Sequence, residues 1–344
     1  PIDVVKYTSA YGMWLKSRSK GKIKVVVGRD ARISGLIFQN LVDSTLQSLG
    51  INVIDLGLST TPTVEIAVSM EKASGGIILT ASHNPKQWNA LKLLNDKGEF
   101  VSAKDGNEIL TIAENENFEY AQIDDIGIKE KKDYLHKHIN AILALPSVDV
   151  KNVKSSKLKV VVDAVNSSGG IYLPALLEAM GVEVVKLYCE PTGEFPHNPE
   201  PLPEHLNDLC SLVVESNADL GFVVDPDVDR LAIVSEDGSL FGFQGRSLGS
   251  NSLKYITIIL DEEAPKVYGL DKINKNKSIY VVEGPFDSTF VKNSVAFCGS
   301  DGSMAYLKGS RLVFVYDNEP RNKEIVRRIE QCIDRGERVV IWPN

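Results

Sequence analysis

Gly75-Gly76-Ile77-Ile78-Leu79-Thr80-Ala81-Ser82-His83-Asn84-Pro85 runs from five apolar or small residues into a hydroxyl, an imidazole and a carboxamide before a proline. A short apolar run bounded by turn residues reads as a buried strand. Its polar end then lies on a loop at the carboxyl edge of a sheet, where α/β proteins bind ligands. Ser82 on such a loop is a candidate phosphoryl carrier. An Asn-Pro turn capped by a hydroxyl is the other reading of the same residues.

A second apolar run, Leu220-Gly221-Phe222-Val223-Val224, ends in Asp225-Pro226-Asp227-Val228-Asp229-Arg230. Three carboxylates this close repel one another unless a divalent cation neutralises them. Hard oxygen donors suit Mg2+, which can also meet a phosphate oxygen. A solvated acidic turn is the alternative. Arg230 adds a bidentate anion donor.

Together these two stretches resemble the active-serine loop and the metal loop of the α-D-phosphohexomutases, the phosphoglucomutase and phosphomannomutase family. The resemblance covers residues 1–242, and Gly28-Arg29-Asp30-Ala31-Arg32-Ile33-Ser34-Gly35 looks like the family's early Gly-x-Asp-x-Arg loop. The resemblance implies Ser82 as phosphoserine, with His83 and Lys92 as its catalytic neighbours. It implies Arg29, Arg32, Asn84, Asn89 and Arg230 as substrate or phosphate contacts, and Asp225, Asp227 and Asp229 as Mg2+ ligands. Trp88-Asn89-Ala90-Leu91-Lys92 carries Ala90 where the family usually has Gly. The metal ligands follow also from residue chemistry, whereas the phosphoserine role rests mainly on the resemblance.

The 344 residues carry a net charge of -8, which argues against a chain built mainly to coat nucleic acid. Cys189, Cys210, Cys298 and Cys332 show no paired short spacing, so neither a zinc site nor a disulfide framework is indicated. A reducing cytoplasm is the expected compartment. No charged-then-apolar leader and no long apolar span is visible, which argues against secretion and membrane insertion. The chain opens on Pro1, as a fragment or processed chain would, and lacks a Gly-Ile-Arg-Gly-like opening strand.

Strand and helix patterns alternate from the start. Residues 2–18 read as a helix, Lys22–Val27 as a strand, Leu36–Leu49 as a helix and Ile51–Leu56 as a strand. Thr60–Val64 reads as a Pro-bearing connection to a helix ending near Ser74. The economical architecture is a mostly parallel sheet flanked by helices. Residues 115–158 read as solvated helix faces and linkers, including the run Lys129–Lys132, with His136 and His138 on the surface. Lys159–Asp163 begins a second α/β unit, and Asn166-Ser167-Ser168-Gly169-Gly170 reads as a turn able to hold an anion. The loop Pro196-His197-Asn198-Pro199-Glu200-Pro201 resembles the family's second-domain segment. The expected domains are 1–150 with the active serine, 151–242 with the metal loop, and 243–344.

Past Phe241 the family's sugar loop and distal phosphate loop are not found. Instead Ser278–Val282 leads into Glu283-Gly284-Pro285-Phe286-Asp287, and Leu312–Tyr316 into Asp317-Asn318-Glu319. Glu283, Asp317 and Glu319 at the ends of neighbouring parallel strands would form another Mg2+ site. This pair, with Asp287 at a helix start, Asn322 and Lys323 in the helix after the second strand, and the wording of Tyr255–Pro265, resembles the Toprim domain of phage-type primases. In Toprim enzymes the Glu serves acid/base chemistry and the acidic pair binds metal. The fold expected is therefore two phosphohexomutase-type three-layer α/β domains followed by a Toprim-like α/β domain, as in a chimera. Three functions follow: phosphoryl transfer on a hexose phosphate with weak turnover; an Mg2+-dependent module for single-stranded DNA aided by Arg321, Lys323, Arg327 and Arg328; or two folded fragments without a competent site.

Overall fold

The computed structural model describes residues 1–19, 21–239, 243–246, 255–258, 267–270, 273–297, 307–316 and 323–342. The chain divides into two compact bodies, Pro1–Phe241 and Gly242–Asn344.

The first body holds two sheets. Its amino-terminal part runs α1 (Ile2–Arg18), β1 (Lys24–Arg29), α2 (Gly35–Ser48), β2 (Asn52–Leu58), α3 (Thr61–Glu71), β3 (Gly75–Leu79), β4 (Leu91–Leu94), α4 (Ala103–Asn115), β5 (Lys129–Lys131), α5 (Leu135–Leu143) and α6 (Val150–Ser156). Strand order is β4-β3-β1-β2-β5, parallel except for the antiparallel edge strand β4. Alternation along β1 explains the layers. Val25 and Val27 meet Tyr11, Trp14, Leu46 and Ile109 on one face, while Val26 meets Val64, Val68 and Tyr134 on the other. β3 is buried throughout, as its unbroken apolar run requires.

The carboxyl half of this body runs β6 (Lys159–Asp163), α7 (Gly169–Ala179), β7 (Glu183–Leu187), α8 (Asn207–Glu215), β8 (Leu220–Val224) and β9 (Leu231–Ser235), in sheet order β7-β6-β8-β9. In both sheets the first strand lies between its two parallel partners. The chain therefore turns to opposite sides of β1 and of β6, opening a crevice at their carboxyl ends.

Four expectations need correction. Thr60–Val64 is no separate connection: Thr60 caps α3 by accepting the Thr63 N–H at 3.2 Å, and Pro62 sits in the first turn where its missing N–H costs nothing. The Lys129–Lys132 run is not a solvated helix face. Lys129 lies on β5 and its ammonium pairs with Asp43 and Asp55 at 2.7 and 2.9 Å, while Lys132 pairs with Glu71 at 2.8 Å. His136 is exposed, but His138 is buried, with Nδ1 2.8 Å from Thr63 Oγ1, because α5 docks on α3. The Asn166–Gly170 turn is packed instead of open to an anion: both serine hydroxyls donate to the Pro226 carbonyl, and a Cβ on Gly170 would stand 2.1 Å from the Cys189 carbonyl oxygen.

The second body contains the antiparallel pair β10 (Phe243–Arg246) and β11 (Tyr255–Ile258). A further sheet is built from β12 (Val267–Tyr268), β13 (Ile279–Val282), α9 (Pro285–Phe290), β14 (Ser294–Phe297), β15 (Leu312–Val315), α10 (Lys323–Asp334) and β16 (Arg338–Val339). Its order is β12-β14-β13-β15-β16, with β13 parallel to both neighbours. Val281, Val295, Phe314, Ile325 and Cys332 form its core. Glu283 follows β13 and Asp287 accepts the Gly284 N–H at 3.0 Å at the start of α9. Asp317, Glu319, Arg321 and Asn322 lie outside the described residues, as do most of Tyr255–Pro265 and all of Phe241–Leu248 except Phe243–Arg246. Among the described residues no helix is long and apolar enough to cross a membrane.

Candidate active site

The two crevices of the first body face each other. Thr61, at the start of α3, donates its N–H to the Asp227 carbonyl at 2.8 Å and its hydroxyl to the Asp227 carboxylate. The Ala31 N–H reaches Ser167 Oγ at 3.2 Å. These contacts bring the loops after β3 and β8 together across 143 residues of chain, so that Ser82 Oγ donates to Asp225 Oδ2 at 3.0 Å. His83 Nδ1 lies 3.4 Å from the same hydroxyl.

The serine loop is held in an uncommon shape. Ser82 has φ +50° and Val228, in the metal loop, φ +64°. Left-handed backbone at non-glycine residues costs about 1–3 kcal/mol each and persists only where surrounding bonds impose it. Arg32 imposes much of it here. Its Nε donates to Asp30 at 2.9 Å, Nη1 to the carbonyls of Pro85 and Trp88, and Nη2 to those of Ser82 and Asn84, at 2.6 to 3.1 Å. All five guanidinium N–H donors are thereby used, so Arg32 organises the loop and has none left for the phosphate expected of it. Thr80 completes the frame, donating to Asp30 at 2.8 Å and accepting the Ser82 N–H at 2.8 Å.

Arg29 donates from Nε to Gln39 at 3.0 Å and from Nη1 to the Asp30 carbonyl at 3.1 Å. Asn84 caps its own loop through the Ala81 carbonyl, and Asn89 donates to Ser34. Arg230 is solvent-facing, 3.6 Å from Glu200 and 3.9 Å from Asp229. Glu283 belongs to the other body.

Oxygens of Asp225, Asp227 and Asp229 all lie within 4.8 Å of one another. Asp225 and Asp227 are fully buried. Burial first, and then the charges of Asp227 and Asp229, push the Asp225 carboxyl well above the usual range. Burial alone would also raise Asp229, but Lys92 and Arg230 hold it below its ordinary value. Lys92 Nζ stands 2.7 Å from Asp227 and 2.8 Å from Asp229. Asp227 Oδ1 is buried with no hydrogen-bond partner among the described residues. An orphaned carboxylate oxygen within three clustered carboxylates fits a hard divalent cation.

Several participants were not singled out by the sequence reading. Asp30, pushed up to about 6 by burial against the opposing pull of Arg32, anchors the loop. Glu65, one helical turn after Thr61, is pushed up to about 7 by burial and then by Asp229. Asp163, at the end of β6, accepts from His197 Nε2 at 2.9 Å, fixing the loop that carries Glu200. The usable signal was position: Thr61 follows β2, and Asp163 closes β6, both at the ligand edge of a sheet.

Comparison with known proteins extends this geometry. Residues 1–120 match the family described as phosphoglucomutase/phosphomannomutase, alpha/beta/alpha domain I, and residues 134–238 match its domain II. The chain is similar to a phosphoglucomutase/phosphomannomutase of Thermococcus kodakarensis, 36% identical over 239 residues, covering 69% of this chain and 52% of that protein. It is 31% identical over 312 residues to a protein named probable phosphoglucosamine mutase from Methanosphaera stadtmanae, covering 84% of this chain and 68% of that protein. The crystal structure of a phosphoglucomutase/phosphomannomutase family protein from Burkholderia thailandensis superposes with a TM-score of 0.61 at 28% identity, covering 70% of this chain and 52% of that one. The chain thus spans about half the length of most of these relatives. With the serine loop and the acidic loop meeting in one crevice, and with both domain families matched in order, the chain belongs to the phosphoglucomutase/phosphomannomutase family.

Proposed function

We propose that the first body performs phosphoryl transfer on a hexose or hexosamine phosphate, with Ser82 as the group that carries the phosphoryl. The observation that supports this best is Ser82 Oγ at 3.0 Å from Asp225 Oδ2, a nucleophile set against a metal-binding carboxylate. Asp225, Asp227 and Asp229 would hold Mg2+, which supplies neutralisation of phosphoryl charge. Transfer from Ser82 breaks the Oγ–P bond and forms a sugar O–P bond, and the proton lost by the sugar hydroxyl ends on Ser82 Oγ, restoring the serine hydroxyl. In the return direction Ser82 must lose its own proton, and His83 is placed to take it at 3.4 Å. Burial, and then the Arg230 charge, lower the His83 pKa, so the imidazole is neutral near pH 7 and free to accept. Lys92 is a cation beside the transfer path. Arg230 and Asn84 are the exposed contacts for substrate, while Arg32 keeps the loop in shape and Arg29 and Asn89 support it. The domains proposed are 1–150, 151–242 and 243–344.

Incubation with a hexose 1,6-bisphosphate and Mg2+ should leave one phosphoryl group on Ser82, detected by mass spectrometry of the tryptic peptide. Ser82→Ala should abolish it. Absence of modification in the wild-type chain would sink the reading, and conversion of hexose 1-phosphate to 6-phosphate would measure how much turnover this chain supports.

A second reading concerns residues 243–344. β13 and β15 are adjacent and parallel, with Val282 opposite Val315, so Glu283 and Tyr316 follow directly on neighbouring strand ends. That supports a Toprim-type metal site of Glu283, Asp317 and Glu319 acting on single-stranded DNA. The Methanosphaera stadtmanae relative aligns over more of this chain than the first body contains, which favours a mutase origin for part of the second body. Mg2+-dependent, salt-sensitive binding of a single-stranded oligonucleotide that is lost in Glu283→Gln would favour the Toprim reading, and no binding at low salt would end it.

A further inference from the structure

Lys92 sits on β4, an edge strand, and its ammonium reaches across the crevice to two of the three clustered carboxylates. The contacts are 2.7 Å to Asp227 Oδ2 and 2.8 Å to Asp229 Oδ2, with 22% of the lysine side chain exposed against none of Asp227. Asp227 Oδ2 also accepts the Thr61 hydroxyl, while its Oδ1 has no hydrogen-bond partner among the described residues. Thus the ammonium takes up one oxygen each of two of the three carboxylates that a hard cation would use. A singly charged donor on a flexible stem leaves one buried oxygen unserved, which a small divalent ion could reach. A divalent ion held by the same carboxylates repels the ammonium and competes with it for their charge.

We infer that Lys92 is a built-in competitor of the divalent cation. It neutralises Asp227 and Asp229, and its hold on them weakens when an ion binds. This rests on the reading of the triad under Proposed function. The released ammonium remains tethered on β4, beside the loop that carries Ser82, since the Thr80 N–H donates to the Ala90 carbonyl at 3.1 Å. Metal binding then does two things at once: it fills the triad and frees a positive charge beside the Ser82 loop. Because binding free energies are reciprocal, whatever Lys92 contributes to the chelated protein is subtracted from metal affinity.

The test is calorimetric titration of chelator-treated protein with Mg2+, and with Mn2+ as a second probe. Lys92→Met should bind either ion at least about tenfold more tightly than wild type, because a partly buried, doubly paired ammonium outweighs an exposed pair. The same variant should unfold at lower urea when chelated, with the deficit closing in saturating Mg2+. Lys92→Arg, which keeps the charge, should bind no more tightly than wild type. Should Lys92→Met not fold, the wild-type protein still decides: Mg2+ should speed acetylation of Lys92 by an amine reagent at mildly alkaline pH. Equal or weaker affinity in Lys92→Met, or protection of Lys92 by Mg2+, overturns the competition. Asp227→Asn separates the two ideas. Metal binding lost in Asp227→Asn but unchanged in Lys92→Met removes only the competition, whereas binding unaffected by Asp227→Asn removes the triad as the site and the competition with it.

Discussion

Arg32 shows how much of the candidate site depends on one side chain whose five donors are all spent within the protein. A planar fork with five donors matches four loop carbonyls and the Asp30 carboxylate, and both members of that ion pair are wholly buried. Lysine has one nitrogen and cannot reproduce the fan. Arg32→Lys is expected to cost about 3–5 kcal/mol, as breaking a buried pair does, read from urea unfolding. Ser82 phosphorylation should fall with it. A loss below about 1 kcal/mol would mean that the loop holds its shape without the guanidinium. Arg32 was legible as an important residue from its place in the Gly-x-Asp-x-Arg loop, but not in its role. Spacing cannot tell a guanidinium aimed at a ligand from one aimed inward, because backbone carbonyls and phosphate oxygens attract the same donors.

Elements are positioned by histidines with opposite pH behaviour. His138 fixes α5 to α3, and burial lowers its pKa below the ordinary 6.5. An imidazole held neutral in the fold must be protonated on acidification, so its stabilisation is present above about 6.5 and is lost as pH falls through its lower folded value. His197 behaves in reverse. Burial opposes its charge, but Asp163 outweighs burial and raises the pKa. Its contribution is complete below about 6.5 and is lost as pH rises through the raised value. The stability difference between wild type and His197→Gln should therefore shrink from pH 6 upward, and that for His138→Gln should shrink from pH 6.5 downward, by urea unfolding across the range. Profiles of the same slope would contradict these assignments. His136 and His138 differ because α5 packs against α3 along one face only, a fact their spacing could not reveal.

At the scale of the molecule, two bodies imply two cooperative units. Mg2+ bound to the triad should raise the midpoint of one calorimetric transition, by about 2.7 kcal/mol of added stability at one hundred times Kd. Asp227→Asn should cancel that shift. A shift of the other transition that survives Asp227→Asn would place a second Mg2+ site in Gly242–Asn344 and favour Glu283 as a ligand. The two sheets of the first body repeat one plan, a first strand flanked by parallel partners on both sides with an acidic residue at or just past its carboxyl end, Asp30 after β1 and Asp163 closing β6. In the second body Glu283 follows β13, a later strand that is also parallel to both neighbours. That repetition explains why short apolar runs ending in carboxylates were the informative stretches.

The sequence by itself determined the alternation of strands and helices, the buried character of β3, and the chemistry of the two loops that name the family. Those are local properties, carried by apolar runs and by residues adjacent in the chain. Only the tertiary structure decided that Ser82 meets Asp225, that Lys92 pairs with Asp227 and Asp229, and that Thr61 and Asp163 belong to the same crevice. Such contacts depend on how strands are ordered and how two sheets face each other. They join residues more than one hundred positions apart, where periodicity and spacing carry no information.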